Sequence, residues 1–399
     1  MKQDPADRVQ DLLVFGEFGG VNPSIEESST FTFLASEKMQ EVFEHELEGC
    51  FLYSRHLNPT NDYLARAMAA IEGTEAGMVT ASGMGAIACT LLQLCQSGDE
   101  IISSRTIYGG SYALLKNFFP RLGIKTHFVN ITNLDAVASK INSNTKVIYT
   151  ETFSNPLLEV ADIEALRSLA DRHNLKLVVD NTFTPMMITP SNLGAYATVY
   201  SLTKFANGTS DCVAGAICGT KEFIGSLRDV KCGAAMLLGP TLDSSRSASI
   251  LKNLHTLNIR MIQHGKNAAY IADKLSKMGI RVFYPGLPEH PGHNLAKRII
   301  NDNYGFGGML TFDAGSAEKA NKLMVRMQEN LVGYFAVSLG YFKTLFSAPG
   351  LSTSSEIPKE EQDEMGLTDS LVRMSVGLDA DIGRTFNRIM KSMEEADLI

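Results

Sequence analysis

Leu175-Lys176-Leu177-Val178-Val179-Asp180 is an apolar run that ends on an acid, with Asn181-Thr182-Phe183 directly after it. A run this continuously apolar reads as a strand covered on both faces, as in a parallel sheet under helices. Similar short runs recur at Met78-Val79-Thr80, Glu100-Ile101-Ile102, His127-Phe128-Val129, Lys146-Val147-Ile148-Tyr149 and Thr198-Val199-Tyr200. Helical periodicity fills several of the intervals, at 62–72, 86–95, 112–118 and 163–173. The alternation predicts an α/β fold with a mostly parallel central sheet and helices on both faces. Ligands in such sheets sit beyond the carboxyl ends of the strands, which is where Asp180 falls.

One crossing further on, Tyr200-Ser201-Leu202-Thr203-Lys204-Phe205 places a lysine just past the next strand. A strand-helix-strand connection would bring Asp180 and Lys204 to neighbouring strand ends. A primary amine in a partly dry pocket loses its proton near neutral pH and attacks an aldehyde, which makes Lys204 a candidate Schiff-base lysine. The plain alternative is a solvated surface lysine. Asp180 in turn is suited to holding a proton on a heteroaromatic nitrogen, as an electron-sink ring requires; a turn or cap aspartate is the alternative.

Other stretches fit the same crevice. Thr80-Ala81-Ser82-Gly83-Met84-Gly85 lies where a strand gives way to a helix, and small residues there let backbone N–H groups approach an anion. Such turns also arise for steric reasons, and this one is neither a full G-x-G-x-x-G nor a Walker loop. Tyr108, in Ile107-Tyr108-Gly109-Gly110, is placed to stack on a flat ring and pass protons, or is simply a packed tyrosine. Tyr53-Ser54-Arg55 offers a phenol and a guanidinium for a phosphate, and Arg373 a guanidinium for a carboxylate. Each arginine has a structural salt bridge or solvation as its alternative.

Composition narrows the classes. The chain has 399 residues, 44% of them hydrophobic, enough for two domains with full cores. A net charge of -8 gives no basic field for nucleic acid. Cys50, Cys89, Cys95, Cys212, Cys218 and Cys232 form no C-x-x-C pair and no metal-spaced cluster, so a reducing compartment without disulfides or a metal is expected. Neither a signal peptide nor an apolar run of about 18 residues is evident, which predicts a cytoplasmic protein with no membrane partner. Residues 1–60 read as an extended arm rich in turn formers and aromatics, whose apolar surface belongs against its own domain or a partner subunit. Residues 61–250 read as the large domain and 251–399 as a smaller α+β domain. A long helix is expected over 247–275, strands over 308–312 and 371–375, and a helix over 317–328.

Read together, Tyr53-Ser54-Arg55 with Asn58-Pro59-Thr60, Ala81-Ser82-Gly83-Met84, Tyr108-Gly109, Glu151-Thr152 with Asn155-Pro156, Val179-Asp180-Asn181-Thr182-Phe183, Ser201-Leu202-Thr203-Lys204, Val337-Ser338-Leu339-Gly340 and Arg373-Met374-Ser375-Val376-Gly377 resemble, in that order, the Cys/Met-metabolism family of pyridoxal-phosphate enzymes. The resemblance implies the type I aminotransferase-like fold with pyridoxal 5'-phosphate as cofactor. It implies Lys204 as the Schiff-base lysine, Asp180 on the ring nitrogen, and Tyr108 stacked on the ring as acid or base. Gly83, Met84, Ser201 and Thr203 would hold the phosphate, with Tyr53 and Arg55 reaching in from a neighbouring subunit. Asn155 would lie by the ring hydroxyl, and Ser338 and Arg373 would receive the substrate carboxylate. A homodimer would be the catalytic unit, paired into a homotetramer.

Within the family, 15–22 and Tyr53-Ser54-Arg55-His56 look most like the methionine γ-lyase branch, which implies elimination of a γ-thiol from a sulfur amino acid. Replacement on a homoserine ester, or lysis of cystathionine, is the alternative reading. The chain departs from better-known bacterial members of that branch at Gly110, which predicts a wider distal pocket without a thiol. It departs again at Lys343 and over 348–354. A nucleotide-dependent dehydrogenase or a non-catalytic α/β binding protein could share the strand pattern, but neither explains Asp180 with Lys204.

Overall fold

The protein is described here by a computed structural model covering residues 3–33, 35–44, 49–350, 352 and 357–399. Seven strands form the first sheet: β1 (Ala76–Thr80), β2 (Glu100–Ser104), β3 (Lys125–Val129), β4 (Thr145–Glu151), β5 (Lys176–Asp180), β6 (Ala197–Ser201) and β7 (Gly215–Gly219). Their spatial order is β1-β7-β6-β5-β4-β2-β3, parallel except that β7 runs antiparallel to both neighbours. The apolar runs are continuous because alternate residues feed two cores. Val147, Val178, Val199 and Ile217 pack with one set of helices, Ile148, Val179, Tyr200 and Ala216 with the other. Each fully buried Val or Ile contributes about 1.5–3 kcal/mol, which fixes the register of β4, β5, β6 and β7.

All six expected strands are present, and β7 is the addition. Its sequence, Gly-Ala-Ile-Cys-Gly, is flanked by residues that disfavour strands, yet Gly215 is required. A Cβ there would lie 2.3 Å from the Ser82 carbonyl oxygen. The connection from β5 to β6 is not the expected helix. It contains one 3₁₀ turn, Pro190–Leu193, because Pro185 and Pro190 interrupt it, and the Asn181 amide donates to the Ile188 carbonyl at 2.9 Å.

The helix expected from Asp62 starts at Pro59. The Asn58 side chain caps the Thr60 N–H at 2.9 Å, Pro59 occupies the first turn, and Gly73 ends the helix with φ 73°. The long helix expected over 247–275 is two, Ser244–Leu254 and Leu257–Lys277. Arg260 lies against the break, donating to the Asn253 and Ala206 carbonyls at 2.9 Å each and to the Phe205 carbonyl, and so ties the break to the turn after Lys204.

The second sheet comprises β8 (Val282–Phe283), β9 (Met309–Asp313), β10 (Gly333–Phe335), β11 (Thr344–Ser347) and β12 (Leu371–Ser375), ordered β10-β11-β12-β9-β8. Helices 257–277, 317–329 and 382–395 pack behind it around Phe312, Leu323 and Ile389.

The N-terminal region is less extended than its turn formers suggest. Pro5–Gln10 and Ser36–Glu44 are helical. Arg8 donates to the Ala70 and Ile71 carbonyls, and Asp4 accepts from Tyr304 at 2.7 Å, so the first helix lies on its own chain. Leu13, Phe15, Phe18 and Val21 stand exposed beyond it. Among the described residues no helix is long and apolar enough to cross a membrane.

Candidate active site

A cavity of about 280 Å³ opens at the carboxyl ends of β4, β5 and β6 and is closed on its far side by the second sheet. Lys204 projects into it from the turn after β6. Its Nζ donates to Ser338 Oγ at 2.9 Å. Burial, and then the nearby Arg373 charge, push the amine down to about 8, so a useful fraction is unprotonated near neutral pH. Gly340 explains how the serine gets there: with φ 78° and no Cβ, it packs its backbone onto Phe205, where a Cβ would sit 2.4 Å from the amide nitrogen. Ser338 itself is held at φ 89°, a conformation costly for any side chain, at the point where it meets Lys204.

Arg373, on β12, is 3% exposed. Its guanidinium donates to Asn155 Oδ1 at 3.0 Å and to the Ser338 carbonyl at 3.2 Å. Burial lowers it to about 10, opposed by Tyr108, and it stays cationic at physiological pH.

Asp180 closes β5 and is 8% exposed. Burial raises its carboxyl, and hydrogen bonds from Thr182, whose N–H lies at 2.9 Å, oppose the rise. Thr182 Oγ1 also accepts the Ser201 N–H at 2.8 Å, joining the ends of β5 and β6.

Gly83 and Met84 begin the helix Gly83–Leu94, which Ser82 caps by accepting the Gly85 N–H at 2.9 Å. First-turn N–H groups have no intrahelical acceptor and point at the cavity mouth. A Cβ on Gly83 would fall 2.7 Å from Ser201 Cβ, so only glycine lets this helix end approach the β6 turn. Thr203 Oγ1 is engaged with Ala214, accepting its N–H at 3.0 Å.

Lys204, Tyr108, Asp180, Gly83, Met84, Asn155, Ser201, Thr203, Ser338 and Arg373 therefore all line one cavity. Tyr53 and Arg55 do not. Arg55 donates to the Met236 carbonyl at 2.6 Å and lies over the Tyr53 ring at 5.8 Å, outside it. Gly110 does not widen the cavity as its sequence suggested: a Cβ there would meet Tyr108 Cε1 at 2.5 Å, so the tyrosine ring occupies the space. Lys343 lies off the cavity, its Nζ 4.6 Å from the Tyr334 ring centroid. Of 348–354, Leu351, Thr353 and Ser354 fall outside the described residues.

Sequence reasoning gave no role to Glu151, Phe153, Thr182 or Phe183, which also line the cavity. For Glu151 the signal was available, because β4, like β5, is an apolar strand ending on an acid.

The residues fit pyridoxal phosphate on their own chemistry. A helix terminus with a glycine-dependent close approach suits a phosphate. A buried carboxylate whose affinity for a proton is raised suits a pyridinium nitrogen, and an amine lowered to about 8 suits an aldehyde.

Comparison with known proteins agrees. The sequence profile of the Cys/Met metabolism PLP-dependent enzymes matches residues 14–385. The chain is 44% identical to a methionine gamma-lyase of Arabidopsis thaliana over 381 residues, 94% of this chain and 86% of the relative. It is 39% identical to an L-methionine gamma-lyase of Fusobacterium nucleatum subsp. polymorphum over 91% of each chain. Among solved structures, a putative O-acetylhomoserine (thiol)-lyase from Campylobacter jejuni, containing N'-pyridoxyl-lysine-5'-monophosphate, superimposes with a TM-score of 0.90 at 27% identity. That match covers 98% of this chain and all of the other.

Proposed function

The chain belongs to the Cys/Met-metabolism family of pyridoxal-phosphate-dependent enzymes, and from that premise we propose that it eliminates the γ-thiol of methionine to give methanethiol, 2-oxobutyrate and ammonia. The observation that carries the reading is the convergence of an amine, a buried acid and a buried guanidinium on one cavity: Lys204, Asp180 and Arg373.

Arg373 takes the substrate carboxylate, with Ser338 beside it, and so fixes which bonds at the α-carbon face Lys204. Gly83, Met84, Ser201 and Thr203 would hold the cofactor phosphate, Asn155 would face the ring hydroxyl, and Asp180 would keep a proton on the ring nitrogen. Bound pyridoxal phosphate supplies the electron sink for the pair left when the α-proton departs. Lys204 Nζ, with its lowered proton affinity, takes the proton from Cα and then one from Cβ, whose electron pair forms the Cβ–Cγ double bond as sulfur leaves. The Tyr108 hydroxyl donates a proton to the sulfur as the C–S bond breaks.

Tyr53 and Arg55 complete the phosphate site of a second copy, since they lie outside their own chain's cavity while the exposed Leu13, Phe15, Phe18 and Val21 offer apolar surface for that copy. The catalytic unit is then a homodimer, two of which form a tetramer in the cytoplasm. Residues 61–250 form its cofactor-binding domain and 251–399 its C-terminal domain.

Thiol and 2-oxobutyrate release from methionine, cystathionine and O-acetylhomoserine, with and without sulfide, tests the reading. Methanethiol from methionine is expected, along with a visible cofactor band that Lys204→Ala lacks. Product from O-acetylhomoserine only when sulfide is added, with none from methionine, would replace elimination by γ-replacement.

A further inference from the structure

Glu151 is 7% exposed and has no part in the mechanism above, yet it sits in register with Asp180 across β4 and β5. Register partners point to the same side, so on strands about 5 Å apart the two carboxyl groups share one strand-end face. Burying like charges together is unfavourable, and burial followed by Asp180 pushes the Glu151 carboxyl well up. A side chain with no titratable group would be cheaper there unless the carboxyl group does something that needs both of its oxygens.

Its two oxygens accept two backbone N–H groups from separate segments. Oε1 takes the Tyr108 N–H at 2.8 Å, at the start of the helix Gly109–Ala113, and Oε2 takes the Asn155 N–H at 3.1 Å, in the loop after β4. Neither donor belongs to a strand ladder. Glutamine could satisfy only one, because its NH₂ would face the other donor. Asn155 passes the connection on, accepting Arg373 Nη1 at 3.0 Å, and Arg373 in turn holds the Ser338 carbonyl.

Resting on the function proposed above, we propose that Glu151 is a positioning residue. Its two oxygens clamp the Tyr108 and Asn155 backbones to the end of β4, and so set where the tyrosine hydroxyl and the Arg373 guanidinium meet the substrate. Displacements of about 1 Å at such groups cost up to about 100-fold in rate.

The test uses Glu151→Gln, isosteric with one acceptor lost, and Glu151→Asp, which keeps the carboxyl group but shortens its reach and covers the case where the first fails to fold. Per bound cofactor, kcat is expected to fall about 10- to 100-fold and KM to rise. In a Tyr108→Phe background, Glu151→Gln should have a smaller further effect on kcat, the remainder running through Asn155 and Arg373. In cofactor-free protein, the Tyr108 or Asn155 amide should exchange with solvent about 10-fold faster. Unchanged kcat and KM per bound cofactor, or full additivity with Tyr108→Phe, would overturn the proposal. Should the wild-type enzyme release no keto acid, the functional reading fails, while the exchange measurement still decides the clamp.

Discussion

Glu72 and Glu151 are both glutamates at the end of a regular element, both buried, and both acceptors of backbone N–H groups, but one faces packed protein and the other a cavity. Glu72 ends the helix Pro59–Glu72. One oxygen accepts the Ser191 N–H at 2.7 Å and Thr198 Oγ1 at 3.0 Å, and the other accepts the Tyr200 hydroxyl. That hydroxyl also accepts from the Asn181 amide at 2.9 Å, closing the cluster. Burial, opposed by Tyr200 and Ser191, raises Glu72 to about 7. Its bonds all run inward, so its protonation acts on stability. The bonds of Glu151 lead to Tyr108 and Asn155, and it shares its strand-end face with Asp180. A buried acid is thus a functional candidate only when something beyond the packing needs it.

The largest expected effect breaks the cavity side. Asp180→Ala should lower kcat about 10³-fold without lowering the urea midpoint, since it removes one of two facing carboxylates. A kcat within about two-fold of wild type would place Asp180 with the structural acids.

Next comes the packed side. Glu72 has a folded value above its unfolded 4.5, so its contribution to stability is fully present below about pH 4.5 and is lost as pH rises to about 7. The amount is roughly 3 kcal/mol. Glu72→Gln should remove that part of the pH dependence in urea titrations, while kcat stays within about two-fold of wild type. An unchanged slope would mean that Glu72 does not carry it.

Gly110→Ala should do the reverse on a smaller scale. A methyl 2.5 Å from Tyr108 Cε1 forces the ring aside, costing about ten-fold in kcat with little change in thermal midpoint, since Tyr108 is 41% exposed. Smallest is an effect on Lys204. In cofactor-free protein, the rate of combination with pyridoxal phosphate should rise with pH and level off above about 8. Arg373→Met should move that levelling upward, because the arginine charge helps to lower the amine.

What could be read from the sequence follows the same division. Asp180 and Lys204 were legible because a strand end fixes where a side chain points, whatever packs around it. Glu151 obeys the same rule and went without a role because its partners are backbone groups, which a sequence does not display. β7 was hidden by Gly215 and Gly219; Gly215 reflects close contact with Ser82 and Gly219 sits against Phe223, neither of them strand propensity. The consequence of Gly110 was misjudged because the direction taken by the Tyr108 ring, two residues earlier, cannot be read from the sequence, and that ring lies where a Gly110 side chain would stand. β10 and β11, at three and four residues, carry too little periodicity to register.

Ser338 joins two parts of the molecule that answer to different pressures. Lys204 and Asp180 stand at the ends of the seven-stranded sheet, whereas Ser338 and Arg373 come from the five-stranded sheet and its connections, and Lys343 and 348–350 lie there too. The cavity therefore hangs on both sheets at once: a change in the second sheet that moves Ser338 is felt directly by the amine of Lys204 in the first.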